Sequence, residues 1–272
     1  MSILEAIVLG IVQGLTEFLP ISSTGHLRIV PAMLGWEDPG TAFTAVVQLG
    51  TMAAVVLYFR DDLVRIAAAW VRSLREPSLR ADRDARMGWY IILATIPIGI
   101  FGVIFKDQIE SGGRDLYLIG AALIAFGLVL LMAEEVGTRR RGMDDVGARD
   151  GLIVGLAQAL ALIPGVSRSG ATISAGLFLG FDRPSAARFS FLLSVPAVVL
   201  SGLFELKDAL GESTGASATG LGVAVLLAFV SGYAAIAFLL RYLVTHTTLV
   251  FVWYRVVLGG VVITLTATGA IT

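Results

Sequence analysis

Six stretches of this chain, at about residues 41–59, 88–105, 116–133, 185–204, 221–240 and 248–268, are apolar over the roughly 20 residues that a helix needs to cross a bilayer. That feature sets the fold class before any other is read. The hydrocarbon core holds no water to pair backbone N–H and C=O groups, so spanning segments of this length must pair their own, as helices. The expectation is a single all-α polytopic integral membrane domain over residues 1–272. Composition agrees: 56% of residues are hydrophobic, 15% are charged and mean hydropathy is +0.85, values rare in soluble domains. A net charge of −1 argues against a nucleic-acid partner. The lack of cysteine excludes disulfides, zinc-thiolate sites and thiol catalysis. Met1-Ser2-Ile3-Leu4-Glu5 carries neither a basic region nor a cleavage site, so no removable signal peptide is expected there.

Two further apolar segments, residues 3–33 and 151–180, are interrupted in their middles by Pro, Gly, Ser and Thr. Irregular backbone at membrane depth is tolerated only where it is buried in protein or lines a wet cavity. Both segments are therefore read as re-entrant broken helices, with ordinary kinked spans as the alternative. Basic residues set the orientation. Residues 60–86 hold seven arginines, the 137–150 loop holds Arg139, Arg140, Arg141 and Arg149, and Arg241 precedes the last span. These regions are assigned to the cytoplasm. The loops near 110 and 212, and the C-terminus, then face outward. On this layout the first broken segment opens to the outer face and the second to the cytoplasm, and the two meet near the midplane.

The broken segments resemble each other. Without a gap, GIVQGLTEFLPISSTGHL (10–27) falls on GLAQALALIPGVSRSGAT (155–172). Gln13 meets Gln158, Ser22 meets Ser167 and Gly25 meets Gly170, while the prolines are one position out of step. Each unit, about 1–135 and 150–272, is one broken segment plus three spans. Three is odd, so the second unit is inverted relative to the first. Six transmembrane helices and two re-entrant segments in an inverted repeat is the plan of secondary transporters, which put broken helices at the repeat interface.

The polar residues of the breaks carry the chemistry. Gln13 and Glu17 are four apart and share a helix face, and a carboxylate in apolar surroundings is functional by default. After Pro20 come Ser22, Ser23, Thr24, Gly25 and His26: hydroxyls, a close-approach glycine, the start of a new helix suited to an anion, and an imidazole for proton transfer. The second segment repeats the build after Pro164 with Ser167, Arg168, Ser169, Gly170 and Thr172, but brings a guanidinium, whose planar fork suits phosphate oxygens. Together the segments suit attack on a phosphoryl group. The plainer alternatives are hydroxyls that only bond the backbone, a Gln13 that bridges helices, and a structural Glu17–Arg168 ion pair. His246 reads as an interfacial residue. Arg255, about seven residues into the last span, either snorkels to the surface or joins a midplane polar cluster, and the second is favoured.

The runs QGLTEFLPISSTGH (13–26) and PGVSRSGAT (164–172) resemble the two signatures of the undecaprenyl pyrophosphate phosphatases of the BacA/UppP family. The likeness extends over the whole chain in length, spans and spacing. Family members commonly have Glu or Gln at the first position of the E/Q-x-x-x-E pair. Here it is Gln13, which leaves Glu17 as the sole carboxylate and weakens any mechanism that needs two acidic metal ligands. The resemblance implies hydrolysis of the terminal phosphate of a C55 polyprenyl diphosphate, giving the monophosphate carrier lipid that cell-wall synthesis reuses. It also implies a site open to the outer face of the bacterial cytoplasmic membrane, a divalent cation (Mg2+ or Ca2+) with Glu17 as its protein ligand, a link to bacitracin resistance, and a homodimer.

The expected reaction is phosphoryl transfer to a serine or to water. Ser23 is the preferred nucleophile because it lies between the helix break and the next helix start. Glu17 activates it or holds the metal, and His26 is the proton partner. Arg168 clamps the diphosphate with Ser167, Ser169, Gly170 and Thr172, while Gln13, Ser22, Thr24 and Gly25 complete the substrate contacts. The prenyl tail lies along lipid-facing helices. A lipid flippase or secondary transporter fits the same architecture but needs no nucleophile, base and arginine together. Phosphatases that pair a Ser-Gly-His element with a second histidine following an arginine are disfavoured, because nothing upstream of His246 has that spacing.

Overall fold

The computed structural model of the chain describes residues 1–106, 108, 114–209 and 216–272, with residues 201–209 as backbone alone. Among them run eleven α-helices: α1 (Ile3–Phe18), α2 (Ser23–Leu34), α3 (Gly40–Tyr58), α4 (Arg60–Arg75), α5 (Arg83–Ile104), α6 (Leu116–Val136), α7 (Ala148–Ala159), α8 (Arg168–Phe178), α9 (Arg183–Ala209), α10 (Ala218–Thr245) and α11 (Leu249–Ala267). α3, α5, α6, α10 and α11 are long and apolar enough to cross a membrane, so this is a multi-pass membrane protein. The sixth expected stretch, 185–204, lies inside α9, which is more polar near its start, with Arg183, Ser185, Arg188 and Ser190. The loops expected outside near 110 and 212 coincide with 109–113 and 210–215, outside the described residues.

The two broken segments are built alike. α1 opens on a capping box in which the Ser2 hydroxyl accepts the Glu5 N–H and the Glu5 carboxylate accepts the Ser2 N–H. It stops because Pro20 clashes with a helical residue before it, leaving Leu19 extended at φ −69° and ψ 143°. α7 tightens into a 3-10 turn, Leu160–Leu162, and Ile163 before Pro164 is likewise extended at φ −80° and ψ 121°. Each chain then enters its second helix through a serine cap at positive φ, Ser22 at 76° and Ser167 at 71°. Such a backbone costs on the order of 1–3 kcal/mol in a non-glycine residue. Each serine offsets part of this by accepting an N–H three residues on, from Gly25 at 3.3 Å and from Gly170 at 3.1 Å. The one-residue offset of the prolines is taken up by Gly165, whose φ of 90° suits glycine alone.

Packing sets the segments against the spans. α1 lies along α10 and α7 along α5, and α6 pairs with α11. Gly10 and Gly155, equivalent in the sequence alignment, each let backbones touch: a Cβ there would come within 2.5 Å of the Ala224 carbonyl and 2.4 Å of the Ala94 carbonyl. Gly120 and Gly259 do the same between α6 and α11. Small residues of this kind give helices close contact where lipid provides no hydrophobic drive. Phe18, Phe59, Phe189 and Phe191 fill the largest core cluster. Charged pairs gather at the two ends of α6: Arg28, Asp38 and Arg114 at its start, and Glu134 with Arg183 at its finish.

One side chain ties the breaks together. Arg255 of α11 is fully buried and donates to five backbone carbonyls: Leu123 at 3.2 Å, Pro20 at 3.1 Å, Ala122 at 3.4 Å, Gly165 at 3.1 Å and Val166 at 2.9 Å. Pro20 belongs to the first break, and Gly165 and Val166 to the second. The carbonyls of Pro20, Gly165 and Val166 lie outside any helix, and each would be costly left unpaired in a dry interior. Arg255 therefore joins a buried polar cluster with the breaks and does not snorkel. Gly170 makes room for it, since a Cβ there would lie 2.7 Å from the Arg255 Nη1. Arg255→Met is expected to destabilise the fold by on the order of 3–5 kcal/mol, because several buried acceptors lose their donor at once. Arg255→Lys should be intermediate, as one ammonium cannot reach all five oxygens. Thermal unfolding in detergent checks both, and a Met variant as stable as wild type would overturn the account.

Candidate active site

Glu17 stands in the last turn of α1, one turn beyond Gln13. Ser23 is the first residue of α2, and Arg168 is the first residue of α8. Ser23 and Arg168 occupy equivalent positions in the aligned segments, each directly after its strained serine cap. Both reach Glu17. The Ser23 hydroxyl donates to Glu17 Oε2 at 2.6 Å, and an Arg168 Nη2–H donates to Glu17 Oε1 at 3.1 Å. The Gln13 amide adds a weaker donation to Oε2 at 3.4 Å. The Glu17 and Arg168 side chains are only 9% and 10% exposed, so the pair is poorly screened. The positive N-terminal ends of two helices thus flank one carboxylate, an arrangement suited to an anion.

Two buried atoms here lack a partner: Arg168 Nη1 and Gln13 Oε1. Orphaned buried polar atoms are rare because they are costly, and a ligand is one explanation for them. A guanidinium with one arm on Glu17 and the other unengaged suits a phosphate oxygen. Gln158, the counterpart of Gln13, is also buried with its amide unpartnered. Its Glu17 counterpart is Leu162, so the second segment holds no carboxylate at that place.

The remaining expected residues are placed as follows. The hydroxyls of Ser22 and Ser167 are occupied as caps, and each also meets a neighbour, Thr24 at 3.3 Å and Ser169 at 3.2 Å. The Ser169 hydroxyl donates to the Leu19 carbonyl at 3.0 Å, stitching the two breaks together. Thr172 bonds the Arg168 carbonyl at 2.8 Å and the Ser190 hydroxyl at 2.6 Å, joining α8 to α9. Gly25 and Gly170 supply the capping N–H groups. His26 does not bond Ser23, Glu17 or Arg168: its Nδ1 meets the Ser22 carbonyl at 2.7 Å and its Nε2 the Tyr254 hydroxyl at 2.6 Å.

Residues 6–261 match the family described as bacitracin resistance protein BacA. The chain belongs to that family. A protein of Mycobacterium sp. strain KMS named undecaprenyl-diphosphatase is 56% identical, covering 100% of this chain and 99% of its own. One of Streptomyces avermitilis named undecaprenyl-diphosphatase 2 is 52% identical, covering 100% and 97%. One of Myxococcus xanthus named undecaprenyl-diphosphatase is 54% identical, covering 99% and 91%.

Among the described residues no group of three or more His, Asp or Glu side chains gathers to hold a metal. The Glu17 carboxylate, which the Gln13 amide faces from one turn away, suits a hard cation shared with substrate phosphates, since Mg2+ commonly takes one or two carboxylates and keeps other positions for phosphate and water. Sequence reasoning did not foresee the service of Arg255 to both breaks or of Tyr254 to His26. A charged residue beside an aromatic one at membrane depth was the available signal, but its partners are backbone atoms of distant segments. The serine caps generate a test. Ser167→Ala loses the capping oxygen and keeps the strained φ, and is expected to cost about 1–2 kcal/mol. Ser167→Gly loses the cap but relieves the strain, and should cost less. Unfolding midpoints of the two variants decide it, and a Gly variant less stable than the Ala variant would refute the strain account.

Proposed function

We propose that this chain is an undecaprenyl-diphosphatase, removing the terminal phosphate of a C55 polyprenyl diphosphate to leave the monophosphate carrier lipid. The observation that carries the reading is one carboxylate, Glu17, holding the Ser23 hydroxyl on one oxygen and Arg168 on the other, with Arg168 Nη1 unengaged. The named relatives and the family support the substrate. Positioning and charge neutralisation supply most of the catalysis in phosphoryl transfer, and this set offers both.

In the proposed reaction Ser23 Oγ attacks the terminal phosphorus. Its proton passes to Glu17 Oε2, the Oγ–P bond forms, and the bond from phosphorus to the bridging oxygen breaks. The leaving group is the prenyl monophosphate, stable as an anion and needing no proton. Water then attacks the phosphoserine phosphorus, the Oγ–P bond breaks, Ser23 Oγ takes back the proton held on Glu17, and the water's oxygen and protons leave with the inorganic phosphate. Arg168 Nη1 and the N–H groups at the starts of α2 and α8 hold the phosphate oxygens. A divalent cation, Mg2+ or Ca2+, with Glu17 as its protein ligand, would neutralise charge on the diphosphate. His26 supports the loop that presents Ser23.

The site is assigned to the outer face of the bacterial cytoplasmic membrane, supported by the arginine-rich segments lying at the far end of α6. An inverted repeat is supported by the matched serine caps and by the exchange of partners, α1 with α10 and α7 with α5. Glu17, Ser23 and Arg168 all come from one chain, so the proposed reaction calls on no residue of a second copy.

Ser23→Ala, Glu17→Gln and Arg168→Ala are each expected to lower phosphate release from C55 diphosphate by about 100-fold or more while the protein still folds. Near-normal turnover by Ser23→Ala would replace the serine nucleophile with water. Chelation of wild-type protein should abolish release, and added Mg2+ or Ca2+ should restore it. Full activity in chelator would remove the cation from the reading.

A further inference from the structure

Tyr254 has no part in the proposed phosphoryl transfer, yet its hydroxyl lies 2.6 Å from His26 Nε2, and the two rings stack with centroids 5.6 Å apart at 8°. On the other side of the imidazole, Nδ1 lies 2.7 Å from the Ser22 carbonyl. A carbonyl only accepts, so Nδ1 carries a proton. In the neutral ring Nε2 is then the acceptor, and the Tyr254 O–H donates to it. The result is a directed relay from Tyr254 through His26 to the backbone of Ser22.

That backbone is the strained one. Ser22 holds a φ of 76°, and the next residue is Ser23. The His26 main-chain N–H also bonds the Ser22 carbonyl, at 3.2 Å, so this oxygen is gripped by ring and backbone of the same residue. His26 is 5% exposed and Tyr254 is 44% exposed, on a side of α11 where Val250, Trp253 and Val257 are more exposed still. Tyr254 is thus where the outward-facing surface of α11 touches the loop that bears Ser23.

We propose that Tyr254 is a positioning residue for phosphoryl transfer. By holding His26 in one orientation, it locks the Ser22 carbonyl and so fixes the geometry in which Ser23 Oγ faces Glu17 and the phosphorus. The proposal rests on the phosphatase reading of the site. Its effect belongs to attack geometry and not to affinity, because small misplacements of a nucleophile slow the chemical step. A ring that only packed would be replaced by phenylalanine without loss.

The test uses full-length wild type, Tyr254→Phe, His26→Gln and the double variant, purified in detergent and assayed for phosphate release from C55 diphosphate. Tyr254→Phe is expected to lower kcat about tenfold with KM within about twofold, while the unfolding midpoint falls by no more than the loss of one part-buried hydrogen bond implies. The double variant should be no slower than His26→Gln alone, since Tyr254 acts only through His26. Imidazole nitrogen NMR should show a protonated Nδ1 and a hydrogen-bonded bare Nε2 in wild type, with the Nε2 signal displaced in Tyr254→Phe. Wild-type kcat in Tyr254→Phe, or losses that multiply in the double variant, overturns the proposal. Wild-type protein that releases no phosphate would sink the phosphatase reading instead, while the NMR comparison would still show whether the Tyr254–His26 bond exists.

Discussion

A helix broken inside a membrane leaves carbonyl oxygens that lipid cannot satisfy. In this chain those of Pro20, Gly165 and Val166 are answered by Arg255. The rest of the site depends on that arrangement, because one guanidinium binds both breaks and the middle of α6 at the same time. The cation is compensated by backbone dipoles and not by a carboxylate. Glu17 is therefore left to Ser23 and Arg168.

Once the breaks are pinned, their geometry brings chemistry together. The strained caps Ser22 and Ser167 turn the chain so that the first residue of each following helix faces the same carboxylate. Ser23 and Arg168 are equivalent in position and opposite in role: one brings a hydroxyl and the other a cation. Hydroxyls that read as substrate contacts are largely spent on structure, Ser169 on Leu19 and Thr172 on Ser190. Partners are missing at Arg168 Nη1 and Gln13 Oε1. Carbonyls of the breaks find donors in Arg255 and Ser169, whereas these two polar atoms stay open where a diphosphate is proposed to sit.

Much of this was legible in the residues themselves. Pro20 and Pro164 in apolar surroundings end helices by a local clash, so the breaks were visible without tertiary information. Glu17 and Arg168 stand out because burying charge is costly wherever the helix lies. The duplicated Gln, Ser and Gly positions pointed to paired segments, and the matching caps share an unusual φ. The engagement of His26 was not legible, because Tyr254 lies 228 residues away in sequence. Nor was the capping use of Ser22 and Ser167, since a serine after a break serves equally as cap, nucleophile or ligand.

The sequence by itself determined the helical membrane class, the places where helices must stop, and the inventory of one carboxylate, one serine-rich turn and one arginine-bearing turn. These follow from hydropathy over about 20 residues and from backbone sterics, which act locally. Only the tertiary structure decided which groups meet. Arg168 reaches Glu17 across 151 residues and Arg255 reaches Pro20 across 235. Such contacts follow from how whole helices pack, through glycine-lined approaches and shared carbonyls, and no local pattern encodes them.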